Sequence, residues 1–281
     1  MLDNYLRMVG HGESSDSSLH RGQFHDVVVT PTAVYRFPRT GSARAGLGRT
    51  VAVLSALAGI DLGFAVPEPL APVDGTAPLG RCHLVTTRVP GGPLPQLATD
   101  HPDHRVPAGE LTRLLAALRG AGADPAVRRA VPEASPDRWH EFAAQVEAVL
   151  FPRMSRAGRQ RAERELATVT GLPHVTSALV HGDLGGGNLL WRWAGERPAL
   201  AGVVDWDGAV IGDPAADVAS LAVTWSWPTV IEALTPIEPS PEPLLARARA
   251  IAGTFALQQA LPAALDGDEL NLREGLAGYR A

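Results

Sequence analysis

The chain has 281 residues, 45% hydrophobic and 20% charged, which suits a folded two-lobed protein with a sizeable core rather than a disordered or fibrous one. Acidic residues number 30 and basic residues 25, every basic one an arginine, so the formal net charge is −5. The absence of lysine excludes Schiff-base chemistry and the lysine of a phosphate-binding P-loop or a kinase-type strand, and the acidic balance leaves no general footprint for nucleic acid.

The first residues lack a basic start followed by an apolar run, so no secretory signal is expected. No unbroken apolar run reaches about 18 residues, so no membrane partner or span is expected either, and the default location is cytoplasmic. Residues 26–30 and 33–37 are β-branched runs separated by Pro31-Thr32, which reads as a hairpin. Leu47, Val51, Leu54 and Ala58 recur at helical spacing, with Gly59 as the stop. Residues 81–89 form a further strand that includes the single cysteine, Cys82, an inert core residue with no partner for an internal disulfide. Pro90-Gly91-Gly92-Pro93 breaks the chain and divides a β-rich lobe, 1–89, from a helical lobe, 90–281.

The second lobe reads as a helix over 108–120, then a helix opened by Ser135 and Pro136 and a polar helix over 156–169. Short strands follow over 178–180, 188–193 and 200–204, then a long helix over 240–260 and a short one over 270–276. A cleft between the two lobes is the expected ligand site.

The chemistry concentrates in His181-Gly182-Asp183-Leu184-Gly185-Gly186-Gly187-Asn188, which follows an apolar strand. An aspartate followed five residues later by asparagine fits the kinase catalytic loop. There the aspartate orients the attacking hydroxyl and the asparagine holds a metal on the nucleotide phosphates. Asp205 ends a second apolar strand 17 positions after Asn188, and the two side chains are a sufficient protein share of a magnesium shell. Asp213-Pro214 resembles a helix start, with Asp217 in the first turn, where a carboxylate complements the helix dipole.

HGDLGGGNLLW followed by GVVDWDGAVIGDPAADVASL resembles the aminoglycoside phosphotransferase family of antibiotic kinases. AVYRFPR and VPEPLAPV resemble it too, so the likeness covers most of the chain. RGQFHDVVV, VLSALAGIDLGF, LPHVTSALVHGDLGGGNLLW and GTFALQQAL are most similar to the branch acting on cyclic peptide antibiotics such as viomycin and capreomycin.

The resemblance implies an α+β, protein-kinase-like two-lobe fold. It also implies phosphoryl transfer from ATP, with Mg2+, to a seryl hydroxyl of a cationic peptide antibiotic. It makes Asp183 the catalytic base and Asn188 and Asp205 the metal ligands, with His181 structural and Asp217 bracing the loop from below. Gln23 and Phe24 would lie over the phosphates. Thr87, Arg88 and Val89 would be the hinge whose backbone meets the base, which leaves GTP open beside ATP.

Two departures from the family pattern stand out. Arg36 occupies the position of the kinase strand lysine, and its planar fork can clamp phosphate in that residue's place. Thr50 falls where a helix glutamate usually pairs with that cation, so what fixes Arg36 is open. Three other signals carry little. Residues 41–48 fail the P-loop pattern at Leu47. His101 and His104 flank a proline and lack a third ligand. Trp225 and Trp227 read as core or cleft wall.

From residue 228 onward seven acids face four arginines, which suggests a carboxylate-lined pocket for a cationic substrate. Two other functions stay open: a kinase for another small hydroxyl compound, such as an aminoglycoside, a macrolide or choline, and a non-catalytic pseudokinase that binds nucleotide or antibiotic.

Overall fold

The computed structural model describes residues 2–8, 10, 16–22, 24–75, 77–94 and 106–280. A short helix, α1 (Leu2–Met8), precedes three strands, β1 (Ser18–Arg21), β2 (His25–Val29) and β3 (Ala33–Pro38). Helix α2 (Gly41–Ala58) and strand β4 (Leu84–Thr87) follow. The four strands form one antiparallel sheet in chain order. The hairpin expected at Pro31-Thr32 is present, with Val29 opposite Val34. Thr30 closes it by side-chain and backbone hydrogen bonds with Ala33. Alternation places Ala33, Tyr35 and Phe37 on the inner face of β3, so Arg36 projects from the opposite face, toward the second lobe.

The rest of the chain is mostly helical. Strand β5 (Gly92–Pro93) leads to α3 (Ala108–Ala123), α4 (Pro125–Ala130), α5 (Arg138–Val149) and α6 (Arg156–Thr170). Strands β6 (Ala178–Val180), β7 (Leu189–Ala194), β8 (Arg197–Val203) and β9 (Val210–Gly212) bracket the motifs. Helices α7 (Ala215–Trp225), α8 (Trp227–Leu234), α9 (Glu242–Gly253), α10 (Phe255–Asp266) and α11 (Glu269–Gly275) complete the lobe. Strand β7 pairs with β5 and β8, and β6 pairs with β9.

Two helix starts or spans differ from expectation. The Ser135 hydroxyl accepts from the Asp137 N–H at 3.2 Å, forming a turn, so α5 begins at Arg138. The single helix expected over 240–260 is two, broken at the buried Thr254, whose hydroxyl and N–H both turn back to the Ile251 carbonyl.

One apolar core joins both parts of the chain. Leu47, Val53, Leu54 and Leu57 of α2 belong to the same cluster as Leu111 and Leu114 of α3 and Val230 of α8. Ala65 is stitched to β8 in both directions, its N–H donating to Ala201 and its carbonyl accepting from Val203, at 2.9 Å each. Gly202 leaves room for this approach, since a Cβ there would lie 2.3 Å from Val89 and 2.6 Å from the Ala65 carbonyl. The β-sheet lobe is therefore fixed against the strands that carry the motifs.

Candidate active site

The catalytic-loop motif begins where β6 ends. His181 is fully buried, with its ring 4.7 Å from that of Trp206. Its Nε2 lies 2.9 Å from the Val204 carbonyl and its Nδ1 lies 3.2 Å from the Asp183 N–H. One nitrogen must donate and the other accept, which fixes a neutral ring with the proton on Nε2. Gly182 has φ +88°, and a Cβ there would lie 3.0 Å from the Gly208 carbonyl, so the turn needs glycine twice over.

Asp217, 1% exposed in the first turn of α7, accepts from the backbone N–H of His181 at 2.8 Å and of Gly182 at 3.0 Å. Burial pushes its carboxyl up, against the opposing pull of these two hydrogen bonds. Asp213 accepts from the Ala215 N–H and forms a two-point ion pair with Arg247, which ties the start of α7 to α9.

These supports leave Asp183 exposed at the mouth of the loop. The Asn188 amide donates to the Asp183 carbonyl at 2.8 Å and to its Oδ2 at 3.0 Å. That orientation leaves Asn188 Oδ1, the atom able to ligate a cation, without a partner among the described residues. The Val204 N–H donates to the Asn188 carbonyl at 3.0 Å, so Asn188 and Asp205 stand at adjoining ends of paired strands. Asp205 is held at φ 66°, ψ 61°, a left-handed conformation that costs a non-glycine residue energy and recurs at functional sites.

Arg36 of β3 reaches into the same space. Its Nη2 donates to Asp205 Oδ1 at 2.8 Å and to Asp207 Oδ2 at 2.6 Å, and its Nη1 donates to Asp207 Oδ1 at 3.1 Å. Burial works against the guanidinium, but Asp205 and Asp207 outweigh it and hold its pKa above the ordinary value. Burial also works against the Asp207 carboxylate, and the Arg36 charge with the Thr50 hydrogen bond still pulls its pKa below the usual range. His25 Nδ1 lies 3.4 Å from Arg36 Nη2 and 3.7 Å from Asp207 Oδ2. The latter contact would be an ion pair only with a protonated ring. Burial and the Arg36 charge push the His25 pKa down, so a neutral ring faces Arg36. Thr50, the residue at the expected glutamate position, donates its hydroxyl to Asp207 Oδ1 at 2.9 Å.

Asp183, Asn188, Asp205 and Arg36 are thus brought together. Asp207 and His25 belong to the group as well, and the motif reading assigned neither of them a role. The acid two residues beyond Asp205, in a chain whose strand arginine lacks its glutamate, was the available signal for Asp207. Phe24 is 40% exposed in the β1–β2 turn, directly before His25, and its carbonyl accepts from the Arg39 N–H. Gln23 lies outside the described residues, as do His101 and His104. At the end of β4, the Thr87 N–H donates to the Glu68 carbonyl and the Arg88 N–H to that of Thr32, while the Val89 side chain is buried.

On the far side of the loop, a Cβ on Gly186 would lie 2.9 Å from Thr224 and 3.7 Å from Trp225, so α7 and Trp225 wall the site. A cavity of 390 Å³ adjoins Gly182 and Gly208, with Arg49, Arg138, Glu133 and Gln258 among its lining residues. No acid of the C-terminal stretch lines this cavity: Glu238 pairs with Arg119, and Asp268 caps α11.

The phosphotransferase enzyme family model matches residues 17–270, which covers both motifs, the strand arginine and α2. The chain belongs to this family. It is therefore an enzyme that transfers phosphate to a hydroxyl. It is 46% identical to viomycin phosphotransferase of Streptomyces vinaceus over 264 residues, 94% of this chain and 92% of that one. Among solved structures it is similar to the GDP and kanamycin complex of APH(2")-IIIa, with a TM-score of 0.79 and 18% identity over 98% of this chain and 96% of that one. It is similar also to a type I macrolide 2'-phosphotransferase, with a TM-score of 0.72 and 21% identity over 99% and 96%. At those identities the two structures establish the fold alone, and it is the α+β, kinase-like two-lobe fold expected from the motifs. No described helix is long and apolar enough to cross a membrane.

Proposed function

We propose that this phosphotransferase transfers the γ-phosphate of ATP to the seryl hydroxyl of a cationic cyclic peptide antibiotic of the viomycin and capreomycin type. The observation that carries the substrate class is the 46% identity to viomycin phosphotransferase across 94% of the chain. The kinases of aminoglycosides and macrolides enter as fold relatives only, at 18% and 21% identity.

In this reading Asp183 accepts or orients the proton of the attacking hydroxyl, since its carboxylate is exposed and its Oδ2 is fixed by the Asn188 amide. Asn188 Oδ1 and Asp205 suit a hard cation that prefers oxygen, and would hold Mg2+. When bound, the ion would neutralise charge on the nucleotide phosphates. Arg36 clamps a phosphate through the planar fork of its guanidinium. The turn around Gln23 and Phe24 covers the phosphates, and residues Thr87, Arg88 and Val89 meet the base, with ATP and GTP both compatible with backbone recognition. Residues 1–89 form the nucleotide-binding lobe and 90–281 carry the catalytic loop and the acceptor. A cytoplasmic enzyme without a nucleic-acid, membrane or obligate protein partner fits this reading.

The experiment is a mass spectrum after incubating a capreomycin mixture with enzyme, Mg2+ and ATP. Components with a seryl hydroxyl gain a phosphate, and those with alanine at that place do not. Phosphate on the alanyl components, or turnover only with an aminoglycoside or macrolide, refutes the proposal. Asp183→Ala abolishes turnover while retaining nucleotide binding; turnover in this variant would remove Asp183 from the chemistry.

A further inference from the structure

The family pattern asks a glutamate on α2 to hold the strand cation, and Thr50 stands there instead. Thr50 is 3% exposed and too short to reach Arg36 with a charge. The partner that Arg36 does have comes from the other lobe. Asp207 meets two guanidinium nitrogens with its two oxygens, the forked geometry that gives a carboxylate–arginine pair both strength and direction. Arg36 is 13% exposed at its side chain and Asp207 34%, so water screens the pair in part, from the carboxylate side. The Thr50 hydroxyl has one proton, and Asp207 Oδ1 at 2.9 Å is nearer than the Gly46 carbonyl at 3.3 Å. That bond fixes the plane of the Asp207 carboxylate. The neighbouring Arg49 ties α2 to the same turn, donating to the Ala209 carbonyl at 2.7 Å.

We propose that Asp207, held in place by Thr50, is the positioning residue for Arg36 and replaces the α2 glutamate of the usual pattern. The inference rests on the reading of Arg36 as the phosphate clamp. A guanidinium has five N–H donors, and Asp207 engages two of them and Asp205 one. Nε–H and the second Nη1–H therefore remain for phosphate oxygens. An ammonium in the same place has three donors on a single atom, so carboxylate and phosphate would meet one point charge rather than separate edges of a planar fork. The clamp's anchor and Asp205 lie two residues apart on one turn. This turn sets the position of the bound phosphates relative to Asp205, and α2 contributes only the hydroxyl that steadies it.

The test measures Mg-ATP affinity by calorimetry, with KM for ATP, kcat and Tm, in Arg36→Ala, Asp207→Asn, Thr50→Val and the pair Asp207→Ala with or without Thr50→Glu. Arg36→Ala and Asp207→Asn are expected to weaken nucleotide binding about tenfold or more, the loss of a charge-assisted hydrogen bond. Thr50→Val is expected to weaken it about threefold, through the orientation of Asp207 alone. In each case KM rises by more than kcat falls. Thr50→Glu is expected to restore most of the affinity lost in Asp207→Ala, because it returns the anchor to α2, and no purely structural role for Asp207 predicts that rescue. Wild-type affinity in Arg36→Ala removes the clamp reading and this inference with it. Weak binding in Arg36→Ala with wild-type binding in both Asp207→Asn and Thr50→Val overturns the positioning role alone. If Asp207→Asn does not fold, Thr50→Val decides, and unchanged affinity in it overturns the proposal.

Discussion

Asp217 offers the sharpest test of how the catalytic loop is held. Asp217→Ala removes both acceptors from the His181 and Gly182 N–H groups. The His181 N–H is wholly buried and carries the full penalty of an unsatisfied donor, while the partly exposed Gly182 N–H is rescued in part by water. At about 1–3 kcal/mol for each buried donor, the sum is about 2–4 kcal/mol. For a chain of this length that is a Tm lower by about 3–7 °C in calorimetry. The Asn variant keeps one acceptor and sets an amide donor against the other N–H, so it falls between Ala and wild type. Relaxation of the loop moves Asp183, and a displacement of about 1 Å costs about 100-fold in kcat. Asp217 touches neither Arg36 nor Asp205, so KM for the nucleotide stays near the wild-type value. Asp217→Ala with unchanged Tm and kcat, or with a change in KM alone, refutes the brace.

Two further outcomes follow from particular contacts. Tyr279 is fully buried and donates to Glu165 Oε2 at 2.5 Å; burial and that bond push its pKa up beyond the usual tyrosine range. A raised folded pKa means the contribution is complete below about pH 10 and is lost as pH rises through the folded value. Tyr279→Phe should therefore cost about 1 kcal/mol at neutral pH and flatten the alkaline fall in stability; equal alkaline limbs in urea titrations would contradict this. Gly182→Ala meets both a positive φ of +88° and the Gly208 carbonyl at 3.0 Å, so about 1–2 kcal/mol of stability should go, with a larger loss in kcat than in nucleotide affinity. Wild-type turnover in that variant would mean the turn tolerates a side chain.

The parts of the fold legible in the sequence are those where local chemistry and tertiary packing agree. The hairpin at Pro31-Thr32, the helix through Leu47 and Leu54, and the strands flanking the catalytic loop each carry their own period or turn residue. The break at Thr254 was hidden because an apolar stripe runs through it, and only a buried hydroxyl turning back on Ile251 ends α9 there. In the site, Asp183, Asn188 and Asp205 could be read because their spacing is fixed by a single loop and strand pair. The Asp207–Arg36 contact spans 171 positions and involves a residue type with an ordinary structural alternative, so no local pattern marks it. The acids counted near the C-terminus are legible only as a charge balance. Charge along the chain does not say which face it lies on, and Glu238 and Asp268 are engaged in a pair with Arg119 and in a helix cap.

The charge in the cleft follows from the same contacts. Asp205 and Asp207 bond one guanidinium, that of Arg36, Asp183 stands beside them against the Asn188 amide, and burial and the Arg36 charge push His25 toward its neutral form. Two negative charges are left uncompensated among these groups. A free nucleoside triphosphate entering such a site would meet repulsion from these carboxylates, reduced by water and salt at the exposed Asp183 and Asp205. Under the proposed function a nucleotide carrying a divalent cation would bring two positive charges, and Asp205 is the carboxylate that would hold that cation. Arg36 would still have its forked pair with Asp207. Two carboxylates would then divide the work that one could not do: Asp207 would keep Arg36 in place while Asp205 serves the cation.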